Sequence, residues 1–158
     1  MSINKVKEYF KQYNMEDKIL EFEVSSATVE LASIALNTKP ERIAKTLAFW
    51  QDNKPICIVT AGDMKIDNQK YKATFGTKAK MLAFDEAENV IGHAVGGVCP
   101  FAINDNVLVY LDESLKRFDT VFPACGSSNS AIELSIDELE KYACNFLSWV
   151  DVCKSIVQ

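Results

Sequence analysis

The sequence is poor in histidine and has no paired cysteines, and both shortages restrict the chemistry available to the protein. One histidine, His93, and five cysteines occur among 158 residues, and no two cysteines form a C-x-x-C pair. Tetrahedral zinc sites need such paired ligands, and the chain contains neither a P-loop nor a dinucleotide fingerprint. We therefore expect no metal and no cofactor. The odd number of cysteines predicts reduced thiols that pack as small hydrophobic side chains.

A long uncharged hydrophobic run is also missing. The longest stretch without a formal charge covers residues 89–104, and three glycines and a proline interrupt it. A membrane-spanning helix needs about 20 consecutive apolar residues. Charged side chains at Lys5, Lys7 and Glu8 occupy the positions where a secretory signal would have its apolar core. We therefore expect no contact with a membrane and a cytoplasmic location.

Composition and length favour one globular unit. Hydrophobic residues make up 48% and charged residues 25% of the chain, which is typical of a protein with a buried core. With 158 residues and no internal repeat or linker, the sequence predicts a single domain over residues 1–158. Helical patterns at both ends and strand-like runs between them predict an α+β fold, a curved mixed sheet or partial barrel flanked by helices. Short connections between the strands predict few parallel crossovers.

The spacing of apolar residues predicts helices near both ends of the chain. The first helix has its apolar face at Ile3, Val6, Phe10 and Tyr13. The second begins after a Ser26 cap and has its apolar face at Leu31, Ile34 and Ala35. The last begins at a capping box of Ser135 and Glu138 and has its apolar face at Ile136, Leu139, Ala143 and Phe146. A short helix is predicted over residues 68–75, and strands over residues 43–50, 55–61, 78–83, 107–111, 120–124 and 131–134.

Charge is distributed unevenly along the chain. The net charge of −5 argues against a nucleic-acid binder, but residues 36–80 carry nine basic and four acidic side chains. Within this region, Asp67 is the single counter-charge to Lys65, Lys70, Lys72, Lys78 and Lys80. This stretch is either a contact for a polyanion or an ordinary solvated surface helix.

Lys45 is the single charge in an apolar strand-like run, residues 43–50. Period two places it on the same face as Ile43, Leu47 and Phe49. A partly buried ammonium is unfavourable to desolvate and is usually retained because an anionic or carbonyl group needs it. The alternative is a lysine whose stem covers apolar surface while its head reaches water.

Residues 92–101 form a charge-free, apolar segment with three glycines. Adjacent Gly96 and Gly97 permit backbone amides to approach a ligand and to stabilise a developing oxyanion. The alternative is a tight turn under the core. Cys99 and His93 in the same segment suggest a thiol nucleophile with its base, although a buried cysteine before a proline is more often a packing residue.

Two further segments are rich in small hydrogen-bonding side chains. Their residues are candidates for binding a ribose, a phosphate or an amino group. The first segment consists of Gly126, Ser127, Ser128, Asn129 and Ser130, and the second contains Ser25, Ser26 and Thr28. The alternatives are an ordinary turn for the first segment and helix capping for the second.

These segments occur in an order that resembles the YbaK/prolyl-tRNA synthetase editing-domain family. The resemblance extends from about Lys18 to the last helix and rests on residues 24–28, 43–47, 92–100 and 126–134. Members of this family hydrolyse amino acids wrongly esterified to tRNA, within a synthetase or as free-standing proteins. The resemblance implies a trans-editing deacylase for a mischarged tRNA, such as tRNA(Pro) carrying alanine or cysteine, with aminoacylated tRNA and a synthetase as partners.

The resemblance also implies roles for particular residues. Lys45 is the family's key lysine near the terminal adenosine, and Gly96 to Pro100 is its G-x-x-x-P loop around the aminoacyl ester. We therefore expect Lys45, Gly96 and Gly97 to be catalytic. The expected substrate-binding residues are Ser25, Ser26, Thr28, His93, Val98, Cys99, Pro100, Gly126, Ser127, Ser128 and Asn129.

The sequence departs from the free-standing Cys-tRNA deacylase pattern. That pattern has a Gly-Gly-Ile-Ser-Pro loop, and here Val98 and Cys99 stand in place of its isoleucine and serine. Ser127, Ser128 and Asn129 stand in place of a basic glycine segment. The identities of the acyl group and of the tRNA therefore stay open. Two other interpretations also stay open: a non-catalytic module that binds aminoacyl-tRNA ends or a small nucleotide-like ligand, and a regulatory protein on the same fold.

Overall fold

Residues 2–156 are described by a computed structural model, in which a curled six-stranded mixed sheet packs with helices. This is the predicted fold class. The helices are Ser2–Lys11 (α1), Val29–Leu36 (α2), Asn68–Phe75 (α3), Ala87–Val90 (α4) and Ile136–Tyr142 (α5). The strands are Leu20–Glu21 (β1), Ile43–Gln51 (β2), Lys54–Ala61 (β3), Met64–Ile66 (β4), Leu108–Asp112 (β5), Thr120–Pro123 (β6), Ser130–Ala131 (β7), Leu134–Ser135 (β8), Phe146–Val150 (β9) and Cys153–Ser155 (β10). No helix in residues 2–156 combines the length and the apolar character needed to cross a membrane.

The strands of the large sheet lie in the order β8, β6, β2, β3, β5, β9. β2 and β3 form the central antiparallel hairpin, whereas the pairings of β2 with β6, β3 with β5 and β5 with β9 are parallel. The expectation of few parallel crossovers is therefore wrong. The segments between β3 and β5 and between β5 and β9 carry helices and are long enough to return the chain to the same end of the sheet.

Two small antiparallel ladders bring distant segments together. β1 pairs with β7, which places residues 20–21 beside residues 130–131. β4 pairs with β10, which ties the chain after the central hairpin to residues 153–155. These ladders position the segments that contain the candidate site residues.

Both faces of the central hairpin are buried. On one face, Val59 of β3 belongs to a cluster with Phe10 of α1 and Leu139 of α5. On the other face, Ile58 belongs to a cluster with Tyr71 of α3. Full burial of one such side chain stabilises the fold by about 1.5–3 kcal/mol, so these two layers hold β2 and β3 rigidly.

Local signals in the sequence explain where several elements begin and turn. Asp52 and Asn53, with φ of 52° and 65°, form a two-residue turn between β2 and β3, and both residue types tolerate this left-handed backbone. The predicted helix over residues 68–75 is confirmed. The capping box is also confirmed, because Ser135 N donates to Glu138 Oε1 at 2.9 Å and Glu138 N donates to Ser135 Oγ at 3.1 Å.

Helix α2 differs from its prediction at its cap and at its apolar face. Thr28, not Ser26, caps the helix, since its Oγ1 accepts a hydrogen bond from Leu31 N at 3.1 Å. The predicted apolar face is turned outward: Leu31 is 41% exposed and Ile34 is 75% exposed. The small residues Ala32 and Ser33 are buried instead, because α2 lies close against the sheet, where larger side chains would not fit.

Two strand and helix predictions are wrong. Residues 78–83 form no strand but one isolated bridge, between Met81 and Phe49. The last helix ends at Tyr142, and Phe146 begins strand β9 rather than continuing the helical face. Asn145 has a φ of 55°, and this left-handed residue reverses the chain, so that the continued helical spacing of Phe146 is coincidental.

Candidate functional site

A cavity of about 220 Å³ opens beside strand β2. Its wall combines residues from β2 with residues from α2, from residues 81–87, from the loop 92–100 and from residues 122–131. Eight of the lining residues are alanines, which give the cavity a small, largely apolar interior. They are Ala27, Ala32, Ala44, Ala48, Ala83, Ala87, Ala124 and Ala131.

The cavity exists because one edge of β2 is incompletely paired. Pairing with β6 stops at Ala44, and pairing with residues 80–82 begins at Ala48, whose carbonyl accepts from Leu82 N at 3.1 Å. Alternate residues of a strand direct their backbone groups to the same edge. Thr46 lies between Ala44 and Ala48, so its amide and carbonyl groups face the gap.

Thr46 also presents an unsatisfied hydroxyl. Its Oγ1 is buried and has no hydrogen-bond partner in residues 2–156, and the residue lines the cavity. A buried hydroxyl without a partner costs about 1–3 kcal/mol, which a ligand that bonds to it would recover. Sequence reasoning missed Thr46 as a site residue, because its only signal was its place directly after Lys45.

Lys45 is half-buried and lines the same cavity. Its ammonium donates a hydrogen bond to the carbonyl of Met64. Burial lowers the pKa of Lys45 below its ordinary value of 10.5, while Cys153, Asp63 and Glu30 act in the opposite direction. The ammonium is therefore partly desolvated and prepared to bind an anionic or carbonyl oxygen.

The loop 92–100 contributes Val95, Gly96 and Val98 to the cavity wall. Gly96 has a φ of 99°, and a Cβ there would lie 3.4 Å from Ala27 Cβ and 3.6 Å from Ser128 Cβ. Gly96 therefore packs closely between the segment before α2 and the segment before β7. The structure thus brings Lys45, Gly96 and Val98 to one cavity.

Gly97 does not share this position. Its amide donates to Ala94 O at 3.0 Å, and a Cβ on it would lie 2.6 Å from Gly126 C and 2.7 Å from Ser127 N. The amide of Gly97 is engaged in a turn and its Cα is packed against backbone, so the structure does not bring Gly97 to the cavity wall beside Gly96.

The two segments rich in small polar residues are bonded to each other. Ser26 N donates to Ser128 O at 2.6 Å, and Ser25 Oγ donates to the same carbonyl at 3.4 Å. Asn129 Nδ2 donates to Phe22 O at 2.9 Å, and Ser127 Oγ lies 2.7 Å from Ser130 Oγ. Much of their hydrogen-bonding capacity is therefore used within the protein.

Only some members of these segments reach the cavity. Ser26 and Thr28 line it, and so does Ser130, a candidate from residues 126–130 that is not among the binding residues implied by the resemblance. Gly126 is buried under α1, where a Cβ would lie 2.8 Å from Ser2 O. The predicted residues outside the cavity wall are Ser25, His93, Gly97, Cys99, Pro100, Gly126, Ser127, Ser128 and Asn129.

His93 and Cys99 are fully buried and both bond to the carbonyl of Phe101. His93 Nε2 lies 2.7 Å from Phe101 O, and Cys99 Sγ lies 3.7 Å from it. His93 Nδ1 has no partner in the described chain, and burial lowers the pKa of the imidazole. Burial raises the pKa of Cys99 far above the usual value for a thiol. This geometry supports packing roles and provides no thiolate for nucleophilic attack.

The cavity combines Lys45, one unsatisfied hydroxyl and open backbone groups with apolar walls. Within residues 2–156, its wall contains no carboxylate, imidazole or thiol, and no group of three or more metal-binding side chains is assembled. Such a site can bind and polarise a small carbonyl compound, but it offers no strong base of its own.

Comparison with known proteins identifies the family of this chain. The profile of the aminoacyl-tRNA editing domain matches residues 23–142, which include α2, the cavity-lining residues and all of α5. The chain belongs to the aminoacyl-tRNA editing domain family.

Similar individual proteins cover almost the whole chain. The chain is 52% identical over 155 residues to the uncharacterized protein YwhH of Bacillus subtilis, with 98% of each chain covered. It is 27% identical over 129 residues to EbsC of Enterococcus faecalis, a candidate Cys-tRNA(Pro)/Cys-tRNA(Cys) deacylase, with 79% of each chain covered. A crystal structure of a candidate trans-editing enzyme for prolyl-tRNA synthetase has the same fold, with a TM-score of 0.84, 22% identity and 98% coverage of both chains.

Proposed function

We propose that this protein is a trans-editing aminoacyl-tRNA deacylase of the cytoplasm, which hydrolyses the ester between a small amino acid and the 3′ end of a mischarged tRNA. The observation that carries the proposal is the shared cavity of Lys45, Thr46 and Gly96 at the unpaired edge of β2. Alanine or cysteine on tRNA(Pro), or on a related tRNA, is the proposed substrate. A synthetase is a proposed partner.

Hydrolysis of an aminoacyl ester depends more on the positioning of the ester and a water molecule than on a reactive side chain. An aminoacyl ester is already activated, so a water molecule can attack its carbonyl carbon once both are held in place. The ester bond to the ribose oxygen then breaks, the ribose oxygen receives one proton of the water, the other proton is released to solvent, and the amino acid leaves as a carboxylate. Because the cavity wall in residues 2–156 has no strong base, we assign the orientation of the water to the neighbouring ribose hydroxyl of the substrate.

The cavity residues divide the remaining tasks. Lys45 holds the phosphate or the ester end, and its ammonium stabilises the negative charge that develops on the carbonyl oxygen. The backbone at Gly96 approaches the carbonyl closely, because no side chain intervenes. Thr46 supplies a hydroxyl and backbone groups to which the amino acid can bond.

Size explains why a small amino acid is proposed. A cavity of about 220 Å³ is below the range of about 300–1,000 Å³ that is usual for pockets of drug-sized ligands. Walls of alanine suit the small side chains of alanine, serine or cysteine. A hydrophobic pocket separates substrates that differ by one methylene by only about 10- to 200-fold, so size alone discriminates modestly among these three.

A panel of mischarged tRNAs tests the proposal. Alanyl-, cysteinyl-, seryl- and prolyl-tRNA(Pro) are incubated with the protein, and release of the amino acid is measured against the uncatalysed rate. We expect release of one or more of the small noncognate amino acids. Binding without release across the whole panel would favour the non-catalytic module instead.

A further inference from the structure

The mouth of the cavity is uncharged and apolar. The residues that both line the cavity and are exposed at its opening are Ala27, Thr28, Met81, Ala83 and Val95. Met81 is 59% exposed, and Phe84, directly after Ala83, is 77% exposed. We call Met81 and Phe84 the rim shelf. Met81 lines the cavity and Phe84 directly follows the lining residue Ala83, so two large apolar side chains are exposed to water beside the cavity mouth.

The backbone under the rim shelf is held firmly. Trp50 N donates to Lys80 O at 2.8 Å, and Leu82 N donates to Ala48 O at 3.1 Å. The carboxylate of Glu86 accepts from Ala83 N at 2.8 Å and lies 3.4 Å from Trp50 Nε1. The shelf is therefore a fixed part of the cavity rim, and ordering it on binding would lose little entropy.

Charge changes sign across the shelf. Lys78 and Lys80 precede it and are exposed, whereas Asp85 and Glu88 follow it and are exposed as well. A phosphate group would therefore be attracted to the Lys80 side and repelled from the Asp85 side. The combination of an exposed aromatic ring and nearby lysines is typical of surfaces that bind single-stranded nucleic acid.

We propose that the rim shelf stacks against a base at the 3′ end of the tRNA, while the adjoining phosphates lie toward Lys80 and Lys78. This inference rests on the proposed function and deepens it, because it assigns a binding residue, Phe84, for the nucleotide end of the substrate. We place the acyl group in the cavity of about 220 Å³ and the base outside it, beside the uncharged rim. Base stacking tolerates any sequence, since every base has a π face.

The test uses a fluorescent RNA that needs no ester. An acceptor-stem microhelix ending in CCA carries 2-aminopurine in place of the terminal adenine, and its fluorescence falls when the base stacks. We expect quenching with the unaltered protein and with Phe84→Trp. Phe84→Ala should bind about tenfold more weakly and lose the quenching. Leu147→Ala is the matched control, because Leu147 is 55% exposed on β9, at the far edge of the sheet from β2.

Kinetics on a mischarged tRNA that the protein hydrolyses separate this inference from the proposed function. Phe84→Ala should raise KM about tenfold and leave kcat unchanged. Unchanged KM and quenching in Phe84→Ala, or no quenching by the unaltered protein, would overturn the stacking role while leaving deacylation intact. Quenching at Phe84 without hydrolysis of any ester would instead reject the proposed function. An effect of Phe84→Ala that occurs only when a synthetase is present would assign the shelf to a protein contact and overturn the inference.

Discussion

The loop 92–100 has a cavity side and a core side. Val95, Gly96 and Val98 line the cavity, whereas Gly97 and Cys99 are buried against the segment at Gly126 and the core. The sequence of the loop does not distinguish these two sides, because each contains a glycine and small apolar side chains. One short segment can therefore combine packing residues with cavity-lining residues, and only the fold separates them.

If the comparison holds, changes on the core side alter stability, and changes on the cavity side alter kinetics. Gly97→Ala should have the largest effect. Its Cβ would lie 2.6 Å from Gly126 C and 2.8 Å from Gly126 O, so two backbone segments must separate, and we expect a loss of about 3 kcal/mol in the free energy of unfolding. Urea denaturation measures this loss.

Gly76→Ala is the matched control for Gly97→Ala. Gly76 has a φ of 82°, but a Cβ on it would have no neighbour within 4 Å. Alanine there would therefore strain the backbone without a steric clash. We expect a loss of about 1 kcal/mol for Gly76→Ala. Equal losses at the two glycines would contradict the packing role of Gly97.

Cys99→Ser should have the next largest effect on stability. The hydroxyl would replace a thiol in a fully buried position, where Phe101 O is the one acceptor bonded to the present side chain, and we expect a loss of about 1–2 kcal/mol. The kcat/KM for deacylation should be unchanged at temperatures where the variant is folded. A fall in kcat of orders of magnitude would instead identify Cys99 as a nucleophile.

On the cavity side, Thr46→Val keeps the shape of the side chain and removes its hydroxyl. Because Thr46 Oγ1 is unsatisfied in residues 2–156, we expect no loss of stability but a fall of about tenfold in kcat/KM, as for one lost hydrogen bond to a ligand. Thr60→Val is the control, since Thr60 is fully buried and its Oγ1 bonds to Ala61 O at 3.3 Å. Thr60→Val should lower the free energy of unfolding and leave kcat/KM unchanged. If Thr46→Val lowered stability and left kcat/KM unchanged, Thr46 would not be a site residue.

The smallest effect should come from His93 and should depend on pH. Burial holds the pKa of His93 below its ordinary value of 6.5, so the unfolded chain takes up a proton at a higher pH than the folded chain does. Stability should therefore fall as the pH falls below about 6.5, until the lower pKa of the folded state is reached. His93→Gln can still donate to Phe101 O but does not titrate. Between pH 7.5 and about pH 5.5, the melting temperature of this variant should change less than that of the unaltered protein. An equal change in both proteins would show that His93 does not cause the pH dependence.

Part of the site is visible in the sequence, because single residues there break a local pattern. Lys45 is a charge in an apolar strand, and Gly96 lies in a charge-free loop, so both differ from what their surroundings in the sequence lead one to expect. The helix over residues 68–75 and the capping box at Ser135 also follow from local chemistry. In each of these cases the signal is contained in a few neighbouring residues.

The rest depends on pairing between distant segments. Thr46 becomes a site residue only because β6 leaves β2 after Ala44, and no feature near Thr46 encodes that departure. The exposed Leu31 of α2 misled the helix prediction for the same reason. Apolar periodicity normally marks a buried face, but here the sheet accepts the small side chains of Ala32 and Ser33 instead.

Single-turnover hydrolysis of a mischarged tRNA by Lys45→Ala shows whether Lys45 acts in deacylation, and Lys54→Ala, at an exposed lysine at the start of β3, is the control. We expect Lys45→Ala to hydrolyse the ester at least about 100-fold more slowly than the unaltered protein and to unfold cooperatively, and we expect Lys54→Ala to keep a rate within about threefold. A folded Lys45→Ala variant that releases the amino acid at the unaltered rate would rule out the proposed role of Lys45.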